Sequence, residues 1–212
     1  MGHVLLKLDD LSCERDDRAL FSGLNFNCLS GDIIQVEGPN GSGKTTLLRI
    51  LSGLYQNYEG QVIWNEQSIS SQLSTYQSEL LMIGHKSPIR TDLSAIENLR
   101  FLIGIKQRVE DQKLFSALEK VGLYGYEDTL CRNLSAGQQR RVNLARMYIS
   151  SSKLWILDEV FTAIDKSGVV QFESLLAKKS LEGVTIILTT HHQLAIDSRK
   201  LSLGFAGQRA QS

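Results

Sequence analysis

Apolar residues recur along this chain in two rhythms. Short runs at residues 33–36 (Ile-Ile-Gln-Val), 61–64, 80–83, 154–157 (Leu-Trp-Ile-Leu) and 184–188 predict strands. Residues 95–103 and 112–121 instead repeat their apolar positions at helical spacing with no strong strand between them, and Val142, Ala145 and Ile149 continue that spacing in a third segment. A helix is also expected at 45–52, closed by Gly53. The polar, serine-rich stretch 68–78 separates two of the strands, and the residues after Leu203 read as a frayed polar tail. The organisation that follows is a single domain over 1–212. Its strand-rich core covers about 1–85 and 150–205, with the last core strand ending at His191. A helical insert covers about 86–150, with helices of its own to about 133 and then the helix that starts at 135. No internal repeat is present.

Glycine placement adds chemistry to this pattern. Gly38, Pro39, Asn40, Gly41, Ser42, Gly43, Lys44, Thr45 and Thr46 follow directly on the first short apolar run and fit the spacing G-x-x-x-x-G-K-[ST]. Glycines at 38, 41 and 43 let backbone N–H groups turn inward around a triphosphate, and the helix opening near Lys44 adds its positive dipole end. Lys44 is expected to reach the β and γ phosphates of ATP, and the Thr45 hydroxyl to face Mg²⁺. A glycine-rich strand-to-helix turn with no ligand would not require Lys-Thr at that offset.

The run Leu154–Leu157 ends in Asp158-Glu159. A strand there delivers both carboxylates to its carboxyl end, where nucleotide sites of open α/β sheets lie. Asp158 is placed to hold Mg²⁺, directly or through water, and Glu159 is the candidate to polarise an attacking water. Two acids at a solvated strand end are the plainer alternative when taken alone.

Ser135-Ala136-Gly137-Gln138 is a capping box, with Ser135 as N-cap and Gln138 three residues on. Ordinary capping accounts for Ser135 but not for Gly137, which costs a helix about 1 kcal/mol relative to alanine. A bare first turn lets a phosphate approach the backbone, so the simplest expectation is that this helix start is a second anion site, facing the γ-phosphate of a nucleotide held by another subunit.

The phosphate loop, the stretch Leu-Ser-Ala-Gly-Gln-Gln (134–139), the strand ending in Asp158-Glu159 and the later Thr189-Thr190-His191 resemble the ATP-binding subunits of ABC transporters over nearly the whole chain. That resemblance implies an α/β fold, a P-loop NTPase of ABC ATPase type with a mixed sheet core and a helical subdomain, hydrolysing ATP with Mg²⁺. It implies that Ser135, Gly137 and Gln138 complete the ATP site of a second copy, that Asp165 lies in the loop crossing between the sites, and that His191 contacts the γ-phosphate. One phosphate loop and one signature per chain then require a head-to-tail homodimer with two ATP molecules between the copies. Further blocks, Cys13-Glu14-Arg15, Ile83-Gly84-His85, Glu97-Asn98-Leu99 and Phe161-Thr162-Ala163-Ile164-Asp165, are similar to the ATP-binding subunits of cytochrome c maturation haem-export systems. In that family the partners are integral-membrane subunits, the location is the cytoplasmic face of the bacterial inner membrane, and haem is not expected to touch this subunit. Three positions depart from the wider ABC pattern. His85 stands where most relatives carry a Mg²⁺-sensing glutamine, Val160 replaces the usual proline, and Arg15 takes the place of the aromatic that stacks on adenine, as a guanidinium can.

Composition narrows the alternatives. The formal net charge is zero, with 23 basic and 23 acidic residues, so nothing draws the chain globally to nucleic acid; Arg140 and Arg141 read as a solvated helix face or partner contact. No stretch approaches the ~20 apolar residues a membrane-spanning helix needs, which leaves membrane association to a partner. Cys13, Cys28 and Cys131 are odd in number and widely spaced, which suits a reducing cytosol and offers neither a zinc nor a haem-attachment motif. A soluble ABC clamp or scaffold, a transporter ATPase for another cargo and a degenerate nucleotide-binding regulator are the competing functions. Retention of Lys44, Asp158, Glu159 and His191 speaks against the last.

Overall fold

The structure, a computed structural model, describes residues 4–16, 18–84, 88–104, 108–162 and 164–204. His85 and the polar tail from residue 205 lie outside the described residues.

Two sheets of opposite character carry the fold. Strands β1 (Val4–Arg15) and β2 (Arg18–Leu29) pair antiparallel, with Leu6 opposite Cys28 and Leu8 opposite Phe26. The other edge of β1 takes β4 (Glu59–Trp64), which pairs with the short β5 (Gln67–Ser68), giving the order β2-β1-β4-β5. The second sheet is parallel throughout. It contains β3 (Ile33–Glu37), β6 (Leu80–Ile83), β7 (Leu154–Asp158), β8 (Thr185–Thr189) and β9 (Arg199–Ser202), in the order β6-β7-β8-β3-β9.

The continuous apolar runs exist because the parallel sheet is covered on both faces. Along β7, Leu154 and Ile156 pack with helix α1 (Lys44–Leu51) and the antiparallel sheet, while Trp155 and Leu157 point the other way. That second face is covered by α3 (Ala95–Gly104), α4 (Asp111–Lys120), α5 (Ala136–Ile149) and α6 (Lys166–Leu181), whose buried residues include Leu99, Leu118, Leu144 and Leu176. All four residues 154–157 are fully buried.

Three elements differ from the reading of the sequence. The serine-rich stretch contains the short helix α2 (Leu73–Ser78), tied down because Tyr76 is completely buried, meets Trp64 edge-on at 5.4 Å and donates its hydroxyl to the Leu51 carbonyl. Helix α6 was not resolved as an element from the sequence. The core does not end at His191 either, since β9 adds to the free edge of β3 with Val36 opposite Leu201. Leu201 is the one buried residue of β9, so the strand has no apolar run to announce it. Because β3, β7 and β8 are parallel neighbours, their carboxyl ends at Glu37, Asp158 and Thr189 share one edge of the sheet.

Candidate functional site

Residues 38–43 leave that edge as a tight loop. Gly38, Gly41 and Gly43 have φ of 150°, 82° and 93°, conformations that L side chains rarely adopt. A Cβ at Gly43 would also stand 3.0 Å from the Cβ of Leu20 on β2. Ser42 N–H donates to the Pro39 carbonyl at 3.2 Å, and the Lys44 ammonium spans the loop, donating to the carbonyls of Gly38 at 2.6 Å and Pro39 at 3.0 Å. The start of α1 has no capping side chain and no acidic residue in its first turn. Its first amides therefore lack a side-chain acceptor, the arrangement that receives phosphate. Ser42 Oγ is buried in the loop with no hydrogen-bond partner among the described residues.

Across the edge, Asp158 is buried at 4% exposure and accepts a hydrogen bond from Thr189 Oγ1 at 2.7 Å. Glu159 is half-buried, with φ of 53°. Its N–H donates to the Thr189 carbonyl at 3.2 Å and to Thr189 Oγ1 at 3.1 Å, and its carbonyl accepts from the Arg140 guanidinium. Glu159 Oε1 lies 3.6 Å from His191 Nε2, on an imidazole that is largely exposed.

A cleft of about 320 Å³ gathers Arg15, Asn40, Gly41, Gly43, Lys44, Thr45, Thr46, Glu159 and His191. Arg15 reaches it from the end of β1, its guanidinium 3.4 Å from Asp16 and mostly in solvent. Gly38 and Lys44 also line an adjoining hollow of about 560 Å³ that contains Thr190 and His191. Pro39, Ser42 and Asp158 line neither. Thr45 lines the cleft and Asp158 ends the neighbouring strand β7, and both offer oxygen, the donor type that a hard divalent cation takes.

Ser135, Gly137 and Gln138 are not brought to this cleft. The capping box forms in full, with Ser135 N–H donating to Gln138 Oε1 at 2.9 Å and Gln138 N–H to Ser135 Oγ at 3.2 Å. Gly137 has open space where a Cβ would stand. It lines a separate hollow of about 360 Å³ with Arg141 and Asp165. Asp165 caps α6, accepting from Gly168 N–H at 2.8 Å and Ser167 Oγ at 3.1 Å, and these bonds hold its carboxyl below the usual range.

Two residues of the site were not assigned by sequence reasoning. Thr189 joins Asp158 to the backbone of Glu159; its position at the end of an apolar strand, two residues before His191, was the available signal. Arg140 does not lie on a solvated helix face but is half-buried against Glu159. Nothing in the pair Arg140-Arg141 says which of the two turns inward.

The family model described as ABC transporter matches residues 21–162. The cytochrome c biogenesis ATP-binding export protein CcmA of Hahella chejuensis is 49% identical over 202 residues, covering 94% of this chain and 96% of the relative. The protein of the same name from Pseudomonas fluorescens is 51% identical over 195 residues, covering 92% of each. Among solved structures, a dimeric ATP-binding cassette in a post-hydrolysis state with ADP and Pi superimposes with a TM-score of 0.84, at 21% identity and 98% coverage of each chain. An ATP-binding cassette of an ABC transporter in its ADP conformation gives 0.78 at 19% identity, covering 99% of this chain and 90% of that one. With the phosphate loop, the paired acids and the capping box in place, and relatives near half identity over almost their whole length, the chain belongs to the ABC transporter family, as an ATP-hydrolysing, ATP-binding protein.

Proposed function

We propose that the chain is the ATPase of an integral-membrane complex of cytochrome c biogenesis, working as a head-to-tail pair of copies at the cytoplasmic face of the bacterial inner membrane. The export proteins of that name to which it is similar support the pathway. No described helix is long and apolar enough to cross a membrane, so the reading requires a membrane-embedded partner to receive the work. Residues of about 86–150 form the insert on which that partner docks, beside His85, and the core is about 1–85 with 150–205. The ATP cycle drives haem export or release of a haem-loaded chaperone, and haem does not bind this chain directly.

In the cleft, the loop amides and Lys44 bind and neutralise the β and γ phosphates, with Pro39 and Ser42 shaping the loop and Thr46 extending the helix start. Arg15 stacks on adenine. Thr45, Asp158 and His85 would hold Mg²⁺, which when bound would supply charge neutralisation on the phosphate oxygens. Glu159 accepts hydrogen bonding from the attacking water, a role worth ~10²–10⁴ in rate. His191, 3.6 Å from the Glu159 carboxylate, holds the γ-phosphate against it. Ser135, Gly137 and Gln138 close the site of the second copy, and ATP binding favours the closed pair while loss of γ-phosphate releases it.

The observation that carries the pairing is Gly137. It sits in the first turn of a fully capped helix, away from its own chain's cleft, and among the described residues nothing beyond its own helical turn lies within 4 Å of the place of a side chain. The test of the whole reading is purification from membranes in mild detergent, with and without ATP, followed by mass spectrometry. Multi-span cytochrome c maturation proteins are expected with the chain; a soluble assembly without them overturns the pathway.

A further inference from the structure

We infer that Arg140 is a positioning residue for Glu159, fixing its backbone from the second turn of α5 and so tying the opening turn of that helix to the chain's own cleft. The inference rests on the reading of Glu159 as the group that polarises water.

Glu159 has the left-handed backbone that non-glycine residues adopt only where their surroundings over-determine it. The structure supplies that constraint from both sides. On the amino side, the N–H of Glu159 is held by the carbonyl and hydroxyl of Thr189. On the carboxyl side, its carbonyl accepts from Nη2 of Arg140. With both peptide groups pinned, only side-chain torsions remain to aim the carboxylate, which lies 3.6 Å from His191 Nε2.

Arg140 gives up solvation to make this contact. Its Nε is buried with no acceptor among the described residues, and burial lowers its pKa while the Glu159 and Asp158 carboxylates act in the opposite sense. An arginine serving only as a soluble helix face would leave its head in water. Here a guanidinium is drawn inward beside two acids to hold one carbonyl. Its neighbour Arg141 lines the other hollow with Gly137 and Asp165. Consecutive residues of α5 thus face the two places where nucleotide chemistry is proposed, and a displacement of the helix start is transmitted to the base through one side chain.

The test uses the purified full-length chain and a double-mutant cycle. Arg140→Gln is expected to lower kcat about tenfold while KM and ATP affinity stay within about twofold, because ground-state binding is untouched. Arg140→Lys, which keeps a donor and the charge, should recover part of the loss. In a Glu159→Gln background, Arg140→Gln should change residual turnover no further, since the group it positions is gone; a general loss of structure would instead repeat the tenfold effect. Unchanged kcat in Arg140→Gln, or a full second loss on top of Glu159→Gln, overturns the inference. If Arg140→Gln does not fold, the cycle is run with Arg140→Lys, and additivity there overturns it equally. Wild-type turnover in Glu159→Gln overturns the assignment of the base and this inference with it, whereas failure at Arg140 alone leaves the base standing.

Discussion

Thr189 holds Asp158 in place: its hydroxyl donates to Asp158 Oδ1 at 2.7 Å while both side chains are almost wholly buried. The two residues end neighbouring parallel strands and lie opposite each other in register. The same hydroxyl accepts from the Glu159 N–H, so one oxygen links the proposed metal ligand to the backbone of the proposed base. A buried carboxylate that loses a hydrogen bond keeps its desolvation cost.

Thr189→Val, nearly isosteric, should therefore destabilise the fold by about 1.5–3 kcal/mol, the range for hydrogen bonds to charged groups. Thr189→Ser should recover most of that. Urea unfolding of the three chains measures it, and equal midpoints for Val and wild type would show that the hydroxyl contributes nothing.

Glu159→Gln keeps size and shape while removing the proton acceptor. Turnover should fall by ~10²–10⁴, with ATP still bound and the ATP-held pair of copies accumulating, visible as a doubled mass by light scattering. Hydrolysis near the wild-type rate would remove Glu159 from the chemistry.

What the sequence discloses, and what it hides, follows from where each constraint originates. The phosphate loop is legible because the backbone itself demands glycine at 38, 41 and 43, and the buried strand 154–157 because burial on both faces leaves no polar position in it. The capping box at Ser135 and Gln138 is a local exchange of hydrogen bonds, so its spacing is visible without a fold. Strand β9 is hidden because an edge strand with Leu201 alone buried takes its identity from β3, not from its own pattern. Helix α2 is hidden because Tyr76 alone in it is buried, a single anchor that makes no periodicity. Arg140 is the sharpest case. Adjacent arginines are chemically identical in a sequence, and only the path of α5 past the end of β7 turns the first inward against Glu159 and leaves the second outside.

Two loop glycines should separate sterics from conformation. An alanine at Gly38 would place its Cβ 2.5 Å from the Leu203 carbonyl oxygen and 2.7 Å from Ser42 Oγ, so the overpacking cost of about 1–3 kcal/mol adds to backbone strain. At Gly41 nothing lies within 4 Å, leaving only the cost of a left-handed residue, about 1–2 kcal/mol. Thermal unfolding should rank Gly38→Ala clearly below Gly41→Ala. The reverse order would mean that the loop relaxes away from Leu203.

Gly137 gives the most discriminating outcome, because stability and activity should move in opposite directions. It lies within a helix, where alanine is favoured by up to about 1 kcal/mol, and among the described residues a Cβ there meets nothing within 4 Å beyond its own helical turn. Gly137→Ala should therefore leave the isolated chain as stable as wild type or slightly more so, and ATP binding to that chain's own loop unchanged. If the first turn of α5 closes on a nucleotide held by a second copy, the added methyl stands between backbone and phosphate. Turnover should then fall by at least about tenfold, corresponding to ~1.4 kcal/mol of lost transition-state stabilisation, and ATP should no longer hold two copies together. Unfolding curves, ATP affinity and hydrolysis on one preparation decide it. Full activity in a stabilised Gly137→Ala chain would mean that the open turn faces solvent alone and that the pairing geometry must be sought elsewhere on the surface.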